Sequence, residues 1–298
     1  MSSSPMHADE AHIDGALVRR LLRGRFAAWA ELPLERVESA GTVNALYRLG
    51  DELAVRLPRI PGGADDVVKE ALWLPRLAPL LPVPVPEILG VGAPAEGYPW
   101  HWTVQRWIDG EPPVPGALSD ARGLAAGLGA FVAALRRADV PGGPPAYRGG
   151  PLAGVDAETR AAIEELRGTI DTRAATEAWE DALAAPEWTG PPVWLHADLM
   201  PMNLLTRAGR LAGVIDFGTF GTGDPASDLI PAWNLLPPEQ RPVFREAAGA
   251  DDAQWARGRG WALSMALIQL PYYHETNPVM ADNARHVIHE VLAEHRDR

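Results

Sequence analysis

The sequence predicts an α+β fold with a small β-rich N-terminal part and a larger helical remainder. Two patterns support this prediction. Short β-forming runs separated by turn signals fill the first third, and apolar residues at helical spacing dominate from about residue 118 onward. The chain has 298 residues, of which 47% are hydrophobic, so it can bury a sizeable core. We therefore expect one domain of two lobes or two small domains.

The N-terminal part begins with an amphipathic helix, because Ile13, Leu17 and Leu21 recur about one helical turn apart. Gly50-Asp51, between two β runs, is a hairpin turn signal, and three prolines between residues 82 and 86 exclude a helix there. The predicted elements are a helix over 10–31, strands over 43–49 and 53–57, a helix over 65–74 and a strand over 102–108.

The remainder of the chain is predicted to be helices separated by short loops. One hairpin interrupts them, with strands over 203–206 and 211–215 joined by Ala208-Gly209. The glycines and prolines between residues 142 and 151 predict a surface loop. The predicted helices cover 118–138, 156–184, 226–236, 238–248, 252–270 and 278–296.

Composition excludes several kinds of site and partner. The chain has no cysteine, which excludes disulfides, cysteine–zinc sites and thiol nucleophiles. Its net charge of −12 argues against nucleic acid or an anionic membrane as partner and is compatible with a cationic substrate, although solubility alone explains it. Lys69 is the single lysine, and no Gly-Lys-Ser/Thr loop occurs, so a Walker A site is excluded. The polar N-terminus lacks a signal pattern and no apolar run matches a membrane span, so we expect a cytoplasmic protein.

The most informative stretch lies between residues 194 and 218. It contains Asp198, then Asn203 five residues later, then Asp216 thirteen residues beyond that. Phosphoryl transfer from a nucleotide needs one carboxylate to accept a proton from a hydroxyl and two oxygen ligands to hold magnesium. Each of the three is also a common turn residue when taken alone, and their spacing favours the catalytic interpretation. We expect the hairpin between Asn203 and Asp216 to bring these two side chains close together.

This pattern, H-x-D-x-x-x-x-N followed by D-F-G, resembles the catalytic segment of the protein-kinase-like superfamily. With the further stretch G-D-P-x-x-D-L at residues 223–229, it looks most like the aminoglycoside phosphotransferase family. The resemblance implies a bilobal kinase-like fold. Residues 1–107 would be the nucleotide-binding lobe, and residues 108–298 would be a helical lobe that carries the catalytic loop and the acceptor site.

The resemblance also implies a role for each residue of the motif. Asp198 would be the general base that takes the proton of the acceptor hydroxyl. Asn203 and Asp216 would be the magnesium ligands. For His196 the resemblance implies a hydrogen-bonding brace and not a reacting group. The residues themselves predict the same for two aspartates: Asp224 before Pro225 is a predicted N-cap, and Asp228 would lie in the first helical turn, so both are expected to brace the catalytic loop.

The strand after the first hairpin turn is a second candidate site. Ala54 and Arg56 share one face of it because side chains alternate along a strand. Kinase-like proteins place a small residue under the adenine here and, two residues later, a lysine on the phosphates. Arginine at this position can bind phosphate through two donors. We expect Glu70 on the next helix to pair with Arg56, and Lys69 to face elsewhere. The alternatives are an exposed arginine on an edge strand, Arg59 as the phosphate ligand, and a solvated Glu70.

Two further segments complete the nucleotide site that the resemblance implies. In Gly41–Asn44, backbone N–H groups and the Thr42 hydroxyl would face the phosphates, although this segment has one glycine where the family has three. Gln105, Arg106 and Trp107 would form the interlobe hinge, and their backbone would bond the purine edge.

The implied function is transfer of a phosphoryl group from ATP or GTP, with Mg²⁺, to a hydroxyl of a small molecule such as an aminoglycoside or macrolide antibiotic. The alternatives are a kinase for choline, a sugar or an amino-alcohol, and a catalytically silent nucleotide-binding module, which Arg56 alone supports. The cluster Tyr272–Glu275 is the favoured part of the acceptor pocket. The other acceptor candidates are Trp233, Asp251, Asp252 and Trp255. No sequence pattern fixes an oligomeric state.

Overall fold

The computed structural model describes residues 11–37 and 43–297. The predicted phosphate contact of Thr42 therefore lies outside the described residues. The chain forms two compact units. The N-terminal unit contains the described residues up to Pro79 together with Pro84–Asp109 and Val214–Gly218, and the C-terminal unit contains Leu80–Val83, Gly110–Gly213 and the residues from Thr219 onward.

An antiparallel sheet forms the N-terminal unit together with two helices. The elements are α1 (Gly15–Arg25), β1 (Leu34–Val37), β2 (Asn44–Leu49), β3 (Leu53–Pro58), α2 (Gly62–Leu77), β4 (Ile88–Gly92) and β5 (Trp102–Arg106). The strand order is β1-β2-β3-β5-β4. The predicted hairpin is present, and Gly50 in its turn has a φ of 59°, which glycine adopts at little cost. The first helix is shorter than predicted, because the backbone leaves helical geometry at Phe26, where φ is −134°.

The two faces of this sheet differ in chemistry, because side chains alternate along each strand. On one face, apolar side chains of β2, β3 and β5 pack against α1 and form the core of the unit. Directly opposite residues of neighbouring strands share a face. The register pairs Arg56 with Thr103, and it pairs Ala54 with Gln105. These four residues therefore lie together on the other face of the sheet.

The rest of the chain is mainly helical. Its elements are α3 (Ala121–Arg136), α4 (Asp156–Glu165), α5 (Thr172–Leu183), β6 (Val193–Leu195), β7 (Leu204–Arg207), β8 (Arg210–Val214), β9 (Gly221–Gly223), α6 (Pro231–Asn234), α7 (Arg241–Ala248), α8 (Asp252–Tyr273) and α9 (Pro278–Arg296). Strands β7 and β8 form the predicted hairpin. The helix predicted over 156–184 is two helices, separated by a turn in which Gly168 has a φ of 84°. The helix predicted over 226–236 is a 3-10 segment, Pro225–Leu229, followed by α6, because Pro231 has no N–H to continue the hydrogen-bond ladder.

Helix α8 lies inside the C-terminal unit and packs against α4, α5 and α9. Its residues from 257 to 267 are buried on all sides, as expected of a helix enclosed by other elements. Within residues 11–37 and 43–297, no helix is both long enough and apolar enough to cross a membrane.

Candidate active site

Arg56 is the centre of a buried polar cluster in the N-terminal unit. It lies on β3, the middle strand of the sheet, and is 6% exposed. Its Nη1 donates to Oε2 of Glu70 on α2, and its Nη2 donates to Oδ1 of Asp216 at 2.8 Å. The Asn44 amide, with its oxygen toward the guanidinium, accepts from Nη2 at 2.9 Å and from Nε at 3.2 Å. Two of the three alternatives above, an exposed edge-strand arginine and a solvated Glu70, are therefore wrong.

The charges in this cluster shift each other's titration. Burial alone lowers the pKa of Arg56, but the charges of Glu70 and Asp216 raise it overall, so the guanidinium stays protonated. Burial raises the pKa of Glu70 to about 7 against the opposing charge of Arg56, and repulsion from Asp216 and Asp66 adds to the rise. The guanidinium is therefore a fixed positive charge among carboxylates.

Lys69 contacts the same short segment that contains Asp216. Its Nζ donates to the carbonyl oxygen of Gly218 and lies 3.3 Å from Oδ1 of Asp66, which is one turn earlier on α2. Gly218 is closely packed, because a Cβ atom there would lie 2.8 Å from Oδ2 of Asp66. Glu70 bonds Arg56, whereas its neighbour Lys69 bonds the Gly218 carbonyl, so the two side chains have different partners. Adjacent helical residues project about 100° apart, which is why the two side chains diverge.

Asp216 has an unusual backbone conformation. Its φ is 60°, in the left-handed region that residues other than glycine seldom adopt. Such conformations persist where the surroundings hold them, and they concentrate at functional sites. Here Arg56 bonds the side chain, and Lys69 bonds the carbonyl two residues later. The side chain of Asp216 is 41% exposed, so its carboxylate stays accessible to a ligand.

The sheet face that carries Arg56 and Ala54 also carries polar atoms without partners. Oγ1 of Thr103 and Oε1 of Gln105 are buried, and among the described residues they have no hydrogen-bond partner. Oε1 of Glu70 is also buried and has no hydrogen-bond partner among the described residues. Buried polar atoms are normally paired, so these oxygens are suited to a bound molecule that brings hydrogen-bond donors. A nucleotide base or ribose has such donors.

The predicted hinge residues lie at the end of β5. The N–H of Arg106 donates to the carbonyl oxygen of Glu87 at 2.9 Å, and the N–H of Trp107 donates to that of Glu52 at 2.7 Å. The Arg106 side chain is exposed and pairs with Glu87 at 2.7 Å. Because both N–H groups are used within the sheet, a purine contact would need other backbone groups here. The hinge role of Gln105, Arg106 and Trp107 stays a prediction.

Asp198 lies in the C-terminal unit, in a tight loop between β6 and β7. Nδ2 of Asn203 donates to the carbonyl oxygen of Asp198 at 2.9 Å and to its Oδ2 at 3.0 Å. The preceding residue, Ala197, has a φ of 65°, a second left-handed conformation in a residue other than glycine. The Asp198 side chain is 24% exposed. The loop therefore presents a fixed and accessible carboxylate, and the amide oxygen of Asn203 points elsewhere because its nitrogen faces Asp198.

Asp228 and His196 brace this loop. The Asp228 carboxylate accepts the N–H of His196 at 2.8 Å through Oδ2 and the N–H of Ala197 at 2.7 Å through Oδ1. His196 is fully buried, and its Nδ1 accepts the N–H of Asp198 at 3.2 Å. Burial raises the pKa of Asp228 to about 7, although the two N–H groups oppose the rise. Both residues make the contacts expected of braces.

Asp224 fixes the segment that carries Asp228. Its Oδ1 accepts the N–H of Ala226 at 3.0 Å, which confirms the predicted N-cap. Its Oδ2 lies 2.7 Å from Nε of Arg257, a residue of α8, and this ion pair is buried. The brace of the catalytic loop is thus attached to α8, a largely buried helix of the same unit.

One contact to Asp198 was not indicated by any sequence pattern. Nη1 of Arg148 donates to Oδ1 of Asp198 at 3.1 Å and to the carbonyl oxygen of Ala197 at 3.0 Å. Arg148 belongs to the glycine- and proline-rich stretch over 142–151 that predicts a surface loop. The only signal in the sequence is the presence of an arginine in that stretch, and no fixed spacing links this arginine to the motif of Asp198, Asn203 and Asp216.

The acceptor candidates divide into structural and exposed residues. Trp233 and Trp255 are buried with ring centroids 4.8 Å apart, so they belong to the core. Asp251 caps α8, and Asp252 pairs with an arginine of α7. The cluster Tyr272–Glu275 follows at the end of α8 and is largely exposed, Tyr272 at 59%.

Asn203 and Asp216 flank the β7–β8 hairpin and have the chemistry of magnesium ligands. Each offers a hard oxygen donor, and magnesium usually takes one or two such donors from protein and the rest from phosphates and water. In the part of the chain that the structure describes, no group of three His, Cys, Asp or Glu residues could hold a metal alone. A magnesium ion at either residue would therefore take most of its ligands from phosphates and water.

A buried arginine–glutamate pair beside a D-F-G segment, and a braced aspartate loop, are the parts that a phosphoryl-transfer enzyme of kinase type requires. This is the class of protein that the fold and the two sets of residues define. The chain belongs to the APH phosphotransferase enzyme family, whose model matches residues 36–261. The predicted family and enzyme class are thereby confirmed.

Solved structures of other proteins show the same fold. Wild-type aminoglycoside 2'-phosphotransferase-IIIa, in its GDP complex, is 19% identical with a TM-score of 0.71, and the alignment covers 95% of this chain and 99% of that one. The apoenzyme of macrolide 2'-phosphotransferase MphH from Brachybacterium faecium is 22% identical with a TM-score of 0.59, covering 92% and 98%. The predicted α+β, protein-kinase-like fold class is confirmed.

A shorter sequence match involves a protein of another kind. The UDP-N-acetylglucosamine–N-acetylmuramyl-(pentapeptide) pyrophosphoryl-undecaprenol N-acetylglucosamine transferase of Cupriavidus metallidurans is 33% identical over 109 residues. This match covers 35% of the chain and 30% of that protein, so the chain spans about a third of the curated relative's length.

Proposed function

We propose that the protein transfers the γ-phosphoryl group of ATP or GTP to a hydroxyl of a small molecule, with Mg²⁺ at the phosphates. The observation that carries this proposal is the carboxylate of Asp198, which Asn203 holds at 3.0 Å in a chain of the phosphotransferase family. A carboxylate that is fixed and partly exposed can accept the proton of a hydroxyl.

The proposed reaction exchanges one P–O bond for another. The acceptor oxygen bonds to the γ-phosphorus as the bond from that phosphorus to the β,γ-bridging oxygen breaks, and a nucleoside diphosphate leaves. The hydroxyl proton passes to Asp198, and a positioned base of this kind contributes about 10²–10⁴-fold to the rate. Asn203 and Asp216 would hold Mg²⁺, which offsets the negative charge of the phosphates when it is bound.

The donor nucleotide is assigned to the N-terminal part of the chain. Arg56 would bind the phosphates, because its guanidinium is permanently charged and Glu70 fixes its position. Ala54 would lie against the base, and the unpartnered oxygens of Thr103 and Gln105 on the same face support a bound nucleotide. The GDP complex of aminoglycoside 2'-phosphotransferase-IIIa is a further argument for a nucleotide donor. We therefore propose residues 1–107 as the nucleotide-binding lobe and residues 108–298 as the lobe that carries the base and the acceptor.

The proposed acceptor is a hydroxyl compound that also carries an amine. The net charge of −12 and the exposed Tyr272–Glu275 cluster favour a cationic ligand. The names of the two similar structures make an aminoglycoside or macrolide antibiotic the first candidate class. A kinase for choline or another amino-alcohol is the second candidate, because the same negative charge would attract such an acceptor.

Since ATP and GTP are cytoplasmic metabolites, we also propose that the enzyme acts in the cytoplasm.

The test is a panel of acceptors. Purified protein is incubated with Mg²⁺ and either ATP or GTP, with aminoglycosides, macrolides, choline, sugars and amino-alcohols in turn. Nucleoside diphosphate release is measured, and product mass is checked for one added phosphoryl group. We expect product with at least one amine-bearing acceptor. Asp198→Ala should abolish turnover and keep nucleotide affinity, because the base acts on the acceptor. Asp282→Ala, at a position where the aspartate side chain is 76% exposed on α9, serves as the matched control and should behave as wild type.

The outcomes separate the alternatives. Nucleotide binding without product from any acceptor would favour the catalytically silent module. Product from uncharged sugars alone would overturn the choice of an amine-bearing acceptor and leave phosphoryl transfer standing. If Asp198→Ala kept turnover within about tenfold of wild type, the assignment of the base would be wrong, because a positioned base contributes more than that.

A further inference from the structure

Arg148 reaches Asp198 from a segment that is hydrogen-bonded beside the two-stranded sheet of β6 and β9. The N–H of Tyr147 donates to the Thr219 carbonyl at 3.0 Å, and the N–H of Ala146 donates to the Thr222 carbonyl at 3.0 Å. Thr222 belongs to β9, which also pairs with β6, the strand that leads directly to the Asp198 loop. The backbone on both sides of the Arg148–Asp198 contact is therefore anchored to β9.

The packing at this anchor requires glycine. The N–H of Asp224 donates to the carbonyl oxygen of Gly149 at 2.9 Å. A Cβ atom on Gly223 would lie 2.3 Å from that same carbonyl oxygen, so a larger residue would displace the segment. Close backbone contact of Gly149 with Gly223 and Asp224 therefore fixes the position of Arg148.

The Arg148 guanidinium makes two bonds that together orient the base. Its Nη1 donates to Oδ1 of Asp198 at 3.1 Å and to the carbonyl oxygen of Ala197 at 3.0 Å. Asn203 holds the other carboxylate oxygen, Oδ2, at 3.0 Å. The two oxygens of Asp198 are therefore held from two sides, by residues of different segments. The bond to Ala197 also stabilises the left-handed conformation that turns the chain just before Asp198.

We propose that Arg148 is a positioning residue for phosphoryl transfer: it holds the Asp198 carboxylate in the orientation from which that group accepts the acceptor's proton. This inference rests on the proposed function. A general base must meet its proton at hydrogen-bond distance, and a misplacement of about 1 Å costs roughly 10²-fold in rate. The effect of losing Arg148 should therefore fall on the chemical step and leave nucleotide binding unchanged.

The test compares Arg148→Ala, Arg148→Lys and the control Arg167→Ala with wild type, using the acceptor that gives product in the panel. Arg167 pairs with Glu164 at the protein surface and is 68% exposed, so its removal should change neither kcat nor the nucleotide KM. For Arg148→Ala we expect kcat to fall about 10²-fold with the nucleotide KM within about twofold of wild type. Added guanidinium ion should restore part of kcat in this variant alone. Arg148→Lys should retain intermediate activity, because an ammonium nitrogen can donate to both oxygens as Nη1 does, but from a side chain of different length and shape.

Two results would overturn the inference. A kcat of Arg148→Ala within about twofold of wild type would show that Asp198 needs no such support. A fall in kcat that Arg148→Lys and guanidinium both fail to reverse, with a lowered melting temperature in each variant, would make Arg148 a structural residue. If wild type itself transfers no phosphoryl group to any acceptor, the proposed function fails first and the inference fails with it.

Discussion

Arg56 joins Glu70 and Asp216, because one guanidinium nitrogen donates to Glu70 and the other lies 2.8 Å from the Asp216 carboxylate. The proposed phosphate ligand and a proposed metal ligand are thus paired with each other in this structure. A phosphate on Arg56 and a magnesium ion on Asp216 would each replace part of this pair. We therefore expect the two ligands to bind together better than either does alone.

The first prediction concerns Arg56 itself. Arg56→Ala should raise the nucleotide KM by about tenfold or more, because a hydrogen bond to a charged group contributes about 1.5–3 kcal/mol, and should change the acceptor KM less. Arg56→Lys should keep partial activity, since a point charge replaces a fork. Steady-state kinetics with each substrate varied in turn measures both constants. Arg59→Ala is the comparison, and an equal or larger rise there would assign the phosphates to Arg59.

The second prediction concerns the metal ligands. Asp216→Ala and Asn203→Ala should both raise the magnesium concentration needed for nucleotide binding, and Asp216→Ala should have the larger effect because it removes a full charge. Nucleotide affinity measured across a magnesium titration tests this. Unchanged magnesium dependence in both variants would mean that other residues hold the metal.

The third prediction concerns Lys69 and Gly218. Lys69→Met removes the charged donor to the Gly218 carbonyl, so the Asp216 segment should loosen and affinity for magnesium–nucleotide should fall about tenfold. Gly218→Ala should act in the same direction, because the new Cβ would lie 2.8 Å from Oδ2 of Asp66. Adding Asp66→Ala to Gly218→Ala should recover affinity. A double variant no better than Gly218→Ala alone would disprove the steric explanation.

The fourth prediction concerns pH and Asp228. Burial raises the pKa of Asp228 to about 7, whereas an aspartate in an unfolded chain has a pKa of about 3.9. The folded state therefore holds the proton more tightly, so this contribution to stability is full below about pH 4 and falls as the pH rises toward 7. Asp228→Asn mimics the protonated side chain. Urea unfolding at pH 5 and pH 8 should show wild type losing stability relative to this variant at the higher pH. A gain instead would mean that the two N–H groups of the loop outweigh burial.

The sequence predicts well those features whose signals lie in their own residues. Helix α9 begins at Pro278 and ends at Arg296 as predicted, because a proline at the first helical position and continuous helical periodicity mark it locally. The hairpin turn at Gly50 and the order of Asp198, Asn203 and Asp216 are local in the same sense. Spacing along a chain is enough to identify such features.

Other features depend on contacts that a single sequence does not encode. Strands β1 and β4 lie at the two edges of their sheet, and four of the five residues of β4 are only partly buried, so neither shows the alternation of a half-buried strand. Arg148 and Asp198 are 50 residues apart, and their contact follows from the pairing of β9 with its neighbours. Arg257 and Asp224 meet only because α8 packs against the segment after Asp224. In each case tertiary packing decides the strand or the contact, and the local sequence does not.

The scarcity of lysine has a practical consequence. Lys69 carries the only side-chain amine in the chain; its side chain is 23% exposed beside Asp66, and the amine is bonded to the Gly218 carbonyl. An acylating reagent or an isotope-labelled methyl group would therefore attach at one internal position, against the segment that contains Asp216. The reaction rate or resonance of that group would report on this segment as nucleotide and magnesium are added. The chain thus supplies a spectroscopic reporter at its own proposed metal site without any engineered cysteine.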